Sequence, residues 1–245
     1  EKFFDIKCRM GGIKPEATVL VATIRAMKHH ALKAGGGGPA GLGAGFDNLG
    51  AHIDNLLQFG VPLVVAVNRF SDDSQEEVQA VIDFCRERGV RAADCDIWAR
   101  GGEGGIALAE EVLAVLDEGE ADFQPLYDTD STLREKLESI ATQVYGAEGV
   151  NILPSAEKEA QRIVDNGLGN LPVCIAKTQY SLSDDASLQG RPSGFHITVR
   201  EIRISAGAGF IVALTGDVMV MPGLSAKPAA EAMCVHPDGT IEGLF

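Results

Sequence analysis

The sequence predicts an α/β fold: a parallel or mixed sheet flanked by helices, followed by a smaller α+β C-terminal subdomain. Three observations carry that expectation. Short apolar runs alternate with amphipathic segments, as βαβ units require. A chain of 245 residues is long enough for one large core or two modest ones. The last third changes to alternating strand patterns, the mark of half-solvated sheets. With 45% hydrophobic and 23% charged residues, the composition is that of a folded, soluble chain.

Residues 17–24, ATVLVATI, form a continuous β-branched run expected of a strand buried on both faces. GGGGPAGLGAG at 35–45 is glycine-rich enough to predict a flexible surface loop. Leu49, Ile53, Leu56 and Leu57 recur at helical spacing over 48–59. VPLVVAV at 61–67 is a second buried strand, ending at Asn68, Arg69 and Phe70. Residues 71–88 then predict a helix, with Ser71 to Ser74 supplying N-cap candidates and Val78, Val81, Ile82 and Cys85 the apolar stripe. A helix over 104–116 begins in the glycines of GGEGG, so its free N–H groups form an end that favours anions. Helices over 131–145 and 155–166, strands over 172–176, 195–205 and 210–220, and a hairpin turning at Asp238-Gly239 complete the chain. Two domains are expected: residues 1–120, α/β, and residues 121–245, α+β.

Charge and composition exclude several functions. A net charge of −14 argues against nucleic-acid binding, which needs a basic surface. No apolar run approaches the ~20 residues of a membrane span. Five widely spaced cysteines without a CxxC pair predict neither a disulfide framework nor a structural zinc site, and fit a reduced cytoplasmic compartment. No Gly-Lys pair forms a phosphate-binding loop, and no GxSxG marks an α/β hydrolase. His29 and His30 are adjacent and point about 100° apart on a helix, so no metal site is expected from them. Glu76, Glu77, Glu110 and Glu111 are expected on solvated helix faces. Lys177, Thr178, Gln179 and Ser181 leave a strand end in a donor-rich loop whose role stays open between a solvated turn and a functional motif.

In α/β sheets ligands bind beyond the carboxyl ends of the strands, which draws attention to Asn68–Phe70 and to CDIWARGGEG at 95–104, holder of the single tryptophan. EKFFDIKCR at 1–9, VNRF at 67–70, IWARGGEGG at 97–105, YGAEGV at 145–150, GNLPVCIAKTQYSLSDD at 169–185, GRPSGFHITVREIRISAGAGFIV at 190–212 and MPGL at 221–224 together resemble formate–tetrahydrofolate ligase, in order and across the whole chain. The resemblance is to the C-terminal part of that family, somewhat under half. Its phosphate-binding loop, and the basic residue that holds formyl phosphate, belong to the N-terminal part. The sequence, opening without methionine or leader, is therefore expected to be cut from a longer chain.

The resemblance implies an ATP-dependent ligase in which ATP, with Mg²⁺, phosphorylates formate and the formyl group then passes to tetrahydrofolate, assisted by a monovalent cation such as K⁺. It implies a folate cleft lined by Phe70 and Trp98, with Ser71 and Asp94 at positions where the family usually has proline and leucine. It also implies a homo-oligomer at full length. Asn68, Gly101, Gly102, Gly104 and Gly105 are expected on the nucleotide or anion side, while catalytic residues are expected in the family's N-terminal part. The alternative expectation is a catalytically inactive module that only binds folate or oligomerises.

Overall fold

The computed structural model describes residues 1–33, 37–216 and 226–243. It is a mixed α/β structure with one parallel and one mixed sheet, both flanked by helices.

The first residues, Lys2–Cys8, form a π-helical turn running into α1 (Arg9–Gly11). Phe4 from this turn stacks on Phe59 with ring centroids 4.4 Å apart. Asp5 is fully buried; its Oδ1 accepts from the Leu126 N–H at 2.9 Å and from Arg9 at 3.1 Å. Burial raises its pKa, opposed by those same contacts. Nothing in the hydrophobic spacing of EKFFDIKC announces a π-helix, which arises where the turn must place Phe4 and Asp5 in the interior together.

β1 (Thr18–Ala22), β2 (Leu63–Asn68) and β3 (Arg91–Cys95) form a parallel sheet in the order β1-β2-β3. β2 is central and nearly all buried. β1 departs from the expectation of burial on both faces. It pairs only with β2, and Val19 and Val21 are 42% and 60% exposed. A β-branched run thus fits an edge strand with one open face as well as a fully covered strand.

α2 (Ile24–Lys33) and α3 (Gly43–Leu57) link β1 to β2, and α4 (Gln75–Glu87) links β2 to β3. α4 starts with a capping box: Ser74 Oγ accepts from the Glu77 N–H, and the Glu77 carboxylate accepts from the Ser74 N–H. Glu77 also pairs with Lys28 at 2.7 Å, and Glu111 with Arg91 at 2.9 Å, so these two carboxylates tie elements together; Glu76 and Glu110 are exposed. α3 begins at Gly43, inside the stretch expected to be a loop. The cause is packing: a Cβ on Gly45 would sit 2.6–2.7 Å from Met27, so a bare residue lets α3 lie directly on α2.

α5 (Ile97–Arg100) and the 3₁₀ turn Gly101–Gly105 follow β3, and α6 (Ile106–Glu118) starts two residues later than glycine content suggested. α7 (Leu133–Ser139) is capped by Thr132 and continues as a π-helical turn to Val144. α8 (Pro154–Asp165) packs on the second sheet. That sheet contains β4 (Gly149–Ile152), β5 (Val173–Ala176), β6 (His196–Ser205) and β7 (Phe210–Thr215), in the order β4-β6-β7-β5. β6 and β7 are antiparallel; the other two pairings are parallel. β8 (Cys234–Val235) and β9 (Ile241–Glu242) form the terminal hairpin. The expected extension of the 210–220 strand beyond residue 216, the MPGL stretch and residues 34–36 of the glycine-rich segment lie outside the described residues. Among those described, no helix is long and apolar enough to cross a membrane.

Candidate functional site

The last residue of β2, Asn68, stands opposite the last residue of β3, Cys95, and the Arg69 N–H donates to the Cys95 carbonyl at 3.0 Å. Beyond this rung the two chains separate. One turns through Phe70, and the other enters α5 with Trp98. The parallel register therefore delivers both aromatic side chains to the same sheet end.

The Phe70 loop is a tight turn. Asp73 N–H donates to the Phe70 carbonyl at 3.1 Å, and Phe70 N–H donates to Asp73 Oδ2 at 2.9 Å. Ser71 is exposed at the second position of that turn. Arg25, from α2, holds its guanidinium carbon 4.1 Å from the centroid of the Phe70 ring and pairs with Asp72 at 2.9 Å. Sequence reasoning did not single out Arg25, since 45 residues separate it from Phe70 and only the α2 crossover brings them together.

Asp94, on β3, and Arg69, the residue just past the end of β2, form an ion pair at 2.9 Å; Arg69 also donates to Gln75 Oε1. The carboxylate at position 94 is thus matched by the guanidinium that follows the neighbouring strand. Asp94 Oδ1 and Arg69 Nε are buried with no protein partner among the described residues.

Trp98 is 81% exposed, so the indole is available on its surface and contributes little to the core. Its glycine neighbours divide into two kinds. A Cβ on Gly104 would lie 2.2 Å from the Asp96 carbonyl oxygen, and one on Gly105 would lie 3.0 Å from Ile97 Cδ1. Those two glycines let the 3₁₀ turn close on its own chain, where the Asp96 N–H donates to the Gly104 carbonyl at 3.1 Å. Gly101, with φ of 59°, and Gly102 face open space. Gly105 caps α6 without a side-chain acceptor, and the Ile106 N–H donates instead to the Glu103 carbonyl.

His29 and His30 are edge-to-face at 6.0 Å, and His30 Nδ1 accepts from the Gly190 N–H at 3.2 Å, which ties α2 to the second half of the chain. Among the described residues, no group of three or more His, Cys, Asp or Glu side chains is arranged to hold a metal ion.

Phe70, in the turn after β2, and the exposed Trp98, in α5 after β3, thus lie past the same end of two adjacent strands. A family model described as formate–tetrahydrofolate ligase matches residues 1–245, the whole chain, and the chain belongs to that family.

Proposed function

We propose that these residues form the folate cleft of an ATP-dependent ligase that makes 10-formyltetrahydrofolate through formyl phosphate. The observation that carries this reading is the exposed Trp98 at the same sheet end as Phe70, in a chain whose family acts on tetrahydrofolate. A flat heteroaromatic ring gains most between rigid aromatic faces, each contact contributing about 0.5–1.5 kcal/mol beyond buried area. Because Arg25 covers one face of Phe70, the pterin meets the other face or the edge of that ring and the broad surface of Trp98. Arg25 and the Asp73 turn hold Phe70 in place, and the Arg69–Asp94 pair fixes the separation of the two loops. Ser71 and Asp94 rim the cleft and leave the aromatic pair intact.

On the anion side of the same cleft, with Asn68, the open backbone of Gly102 meets phosphate or carboxylate oxygens, while the Gly101 and Ile106 N–H groups are already given to the Ile97 and Glu103 carbonyls. Gly104 and Gly105 shape that turn from behind. Phosphorylation of formate needs a phosphate cradle that these residues do not supply, so no phosphoryl-transfer step is assigned to them. Among the described residues no group of three or more His, Cys, Asp or Glu side chains is arranged to hold a metal ion, and no step is routed through Mg²⁺ or K⁺. A cytoplasmic homo-oligomer is part of the same reading.

The test is a tetrahydrofolate titration followed by Trp98 fluorescence, with Trp98→Phe as the blank and Trp98→Ala scored by calorimetry. Saturable quenching, with at least about a tenfold affinity loss in Trp98→Ala and a stability change within about 0.5 kcal/mol, is expected for an exposed stacking residue. Unchanged affinity in Trp98→Ala would overturn the stacking assignment.

A further inference from the structure

A cavity of about 430 Å³ lies between α3 and β1 on one side and the 144–145 and 177–182 segments on the other. None of its lining residues belongs to the strand-end cleft. It falls within the size range of small-molecule sites. Its lining joins apolar side chains such as Leu20 and Phe59 to a polar group made of His52, Asn55, Tyr145 and Lys177.

The charges in this space do not balance. Glu1 is already engaged, by Lys2 at 3.0 Å and by the Tyr145 hydroxyl, which donates at 3.2 Å. Lys177 Nζ donates to the carbonyls of Thr178 and Ser181 and lies 4.7 Å from the centroid of the Tyr145 ring. An ammonium has three donors, so one N–H remains. Among the described residues no carboxylate forms an ion pair with it. A partly buried cation held only by carbonyls and a ring face is short of an anionic partner. The side chains of His52 and Asn55, one turn apart on α3, likewise make no hydrogen bond to any described residue and line the same cavity. His52 is crowded by neighbouring atoms yet stays solvent-exposed, and it lines the cavity. Burial holds its pKa below the usual histidine range, leaving the ring neutral near pH 7, with one N–H to give.

We propose that this cavity binds a small ligand carrying an oxyanion head group, carboxylate or phosphate, with Lys177 as its charge partner and His52 and Asn55 as hydrogen-bond donors. All three donors line this one cavity, where they would meet the head group while Leu20 and Phe59 receive its apolar remainder. The site is distinct from the folate cleft and does not depend on the ligase reading.

The experiment is calorimetric titration of the 245-residue chain with inorganic phosphate and, separately, with citrate, in a buffer free of both. Saturable 1:1 binding of at least one anion is expected, weakened about tenfold or more in Lys177→Gln, as loss of a charge partner predicts. Asn55→Leu is the deciding variant, because Asn55 has no protein partner to lose. Its thermal midpoint should match the wild type while anion affinity falls by at least about threefold. Tighter phosphate than citrate assigns a phosphate head group; the reverse assigns a carboxylate. Absence of saturable binding, or Asn55→Leu binding with wild-type affinity, overturns the proposal.

Discussion

The guanidinium of Arg25 lies 4.1 Å from the centroid of the Phe70 ring, and the same group pairs with Asp72 at 2.9 Å. One side chain from α2 therefore grips both the aromatic wall and the outer edge of the turn that carries it. Both members of the Arg25–Asp72 pair are more than half exposed, so the ion pair itself adds little stability. Its effect is on geometry.

From that geometry, Arg25→Ala should weaken tetrahydrofolate binding about two- to fivefold, the range an exposed cation–π contact of roughly 0.5–1 kcal/mol provides. Thermal stability should barely move. Trp98 fluorescence titration measures the affinity, and a wild-type value in the variant would show that the Asp73 turn alone positions Phe70.

Ser71 occupies the second position of the turn closed by the Asp73 N–H and the Phe70 carbonyl. Proline is favoured there, because its fixed φ suits that position, and no described hydrogen bond uses the Ser71 N–H. Ser71→Pro should therefore raise stability by about 0.4–1 kcal/mol, by restricting the unfolded chain. It should also tighten folate binding, through a stiffer loop and added apolar surface. A urea melt and the same fluorescence titration check both halves.

That Phe70 and Trp98 lie past the same sheet end was legible in the sequence because the signals are local. Phe70 follows a buried strand directly, and Trp98 stands beside glycines that begin a helix. What was illegible depended on contacts distant in the chain. Arg25 reaches Phe70 only through the α2 crossover. The cavity at Lys177 joins positions 52, 55, 145 and 177, which no motif spacing connects. Glycines misled in both directions: Gly43 and Gly45 belong to a helix, and Gly104 serves its own backbone. Composition reports conformational freedom, whereas these positions are set by how closely another element approaches. The edge position of β1 was hidden for a related reason, since burial of a strand is a property of its neighbours.

Gly45 tests that view of glycine. Any Cβ there would lie 2.6 Å from the Met27 carbonyl oxygen, a backbone atom that cannot swing aside. The helix-propensity gain of about 1 kcal/mol that alanine normally brings over glycine should be outweighed. Gly45→Ala is expected to destabilise the chain by about 1–3 kcal/mol, the usual scale of overpacking. Chemical denaturation decides it: a stabilised variant would mean that α2 and α3 separate at little expense.

Lys177 makes the pH dependence testable. Burial is the leading cause that lowers its pKa from 10.5 to about 8, with Lys2 acting in the same direction and Glu1 and Asp184 opposing. Between those two values the unfolded chain binds more protons than the folded one at this site. Stability contributed here therefore rises with pH across that window, and below about 8 the penalty for the buried charge is fully present. Tyr145 and the neighbouring Cys174 thiol are pushed upward by burial, so both also titrate on the alkaline side. Comparison with Lys177→Met isolates the lysine. The difference in unfolding free energy between wild type and variant should shift in favour of the wild type as pH rises from 8 to 10.5. Anion affinity should move the opposite way, because the charge that attracts the ligand disappears over the same interval. A bound anion in turn favours the charged form and raises the pKa of the complex, so the fall in affinity begins near 8 and levels off only above the pKa of the bound form. Calorimetric titrations at the two ends of the window read this directly, and a pH-independent affinity would separate the anion from Lys177.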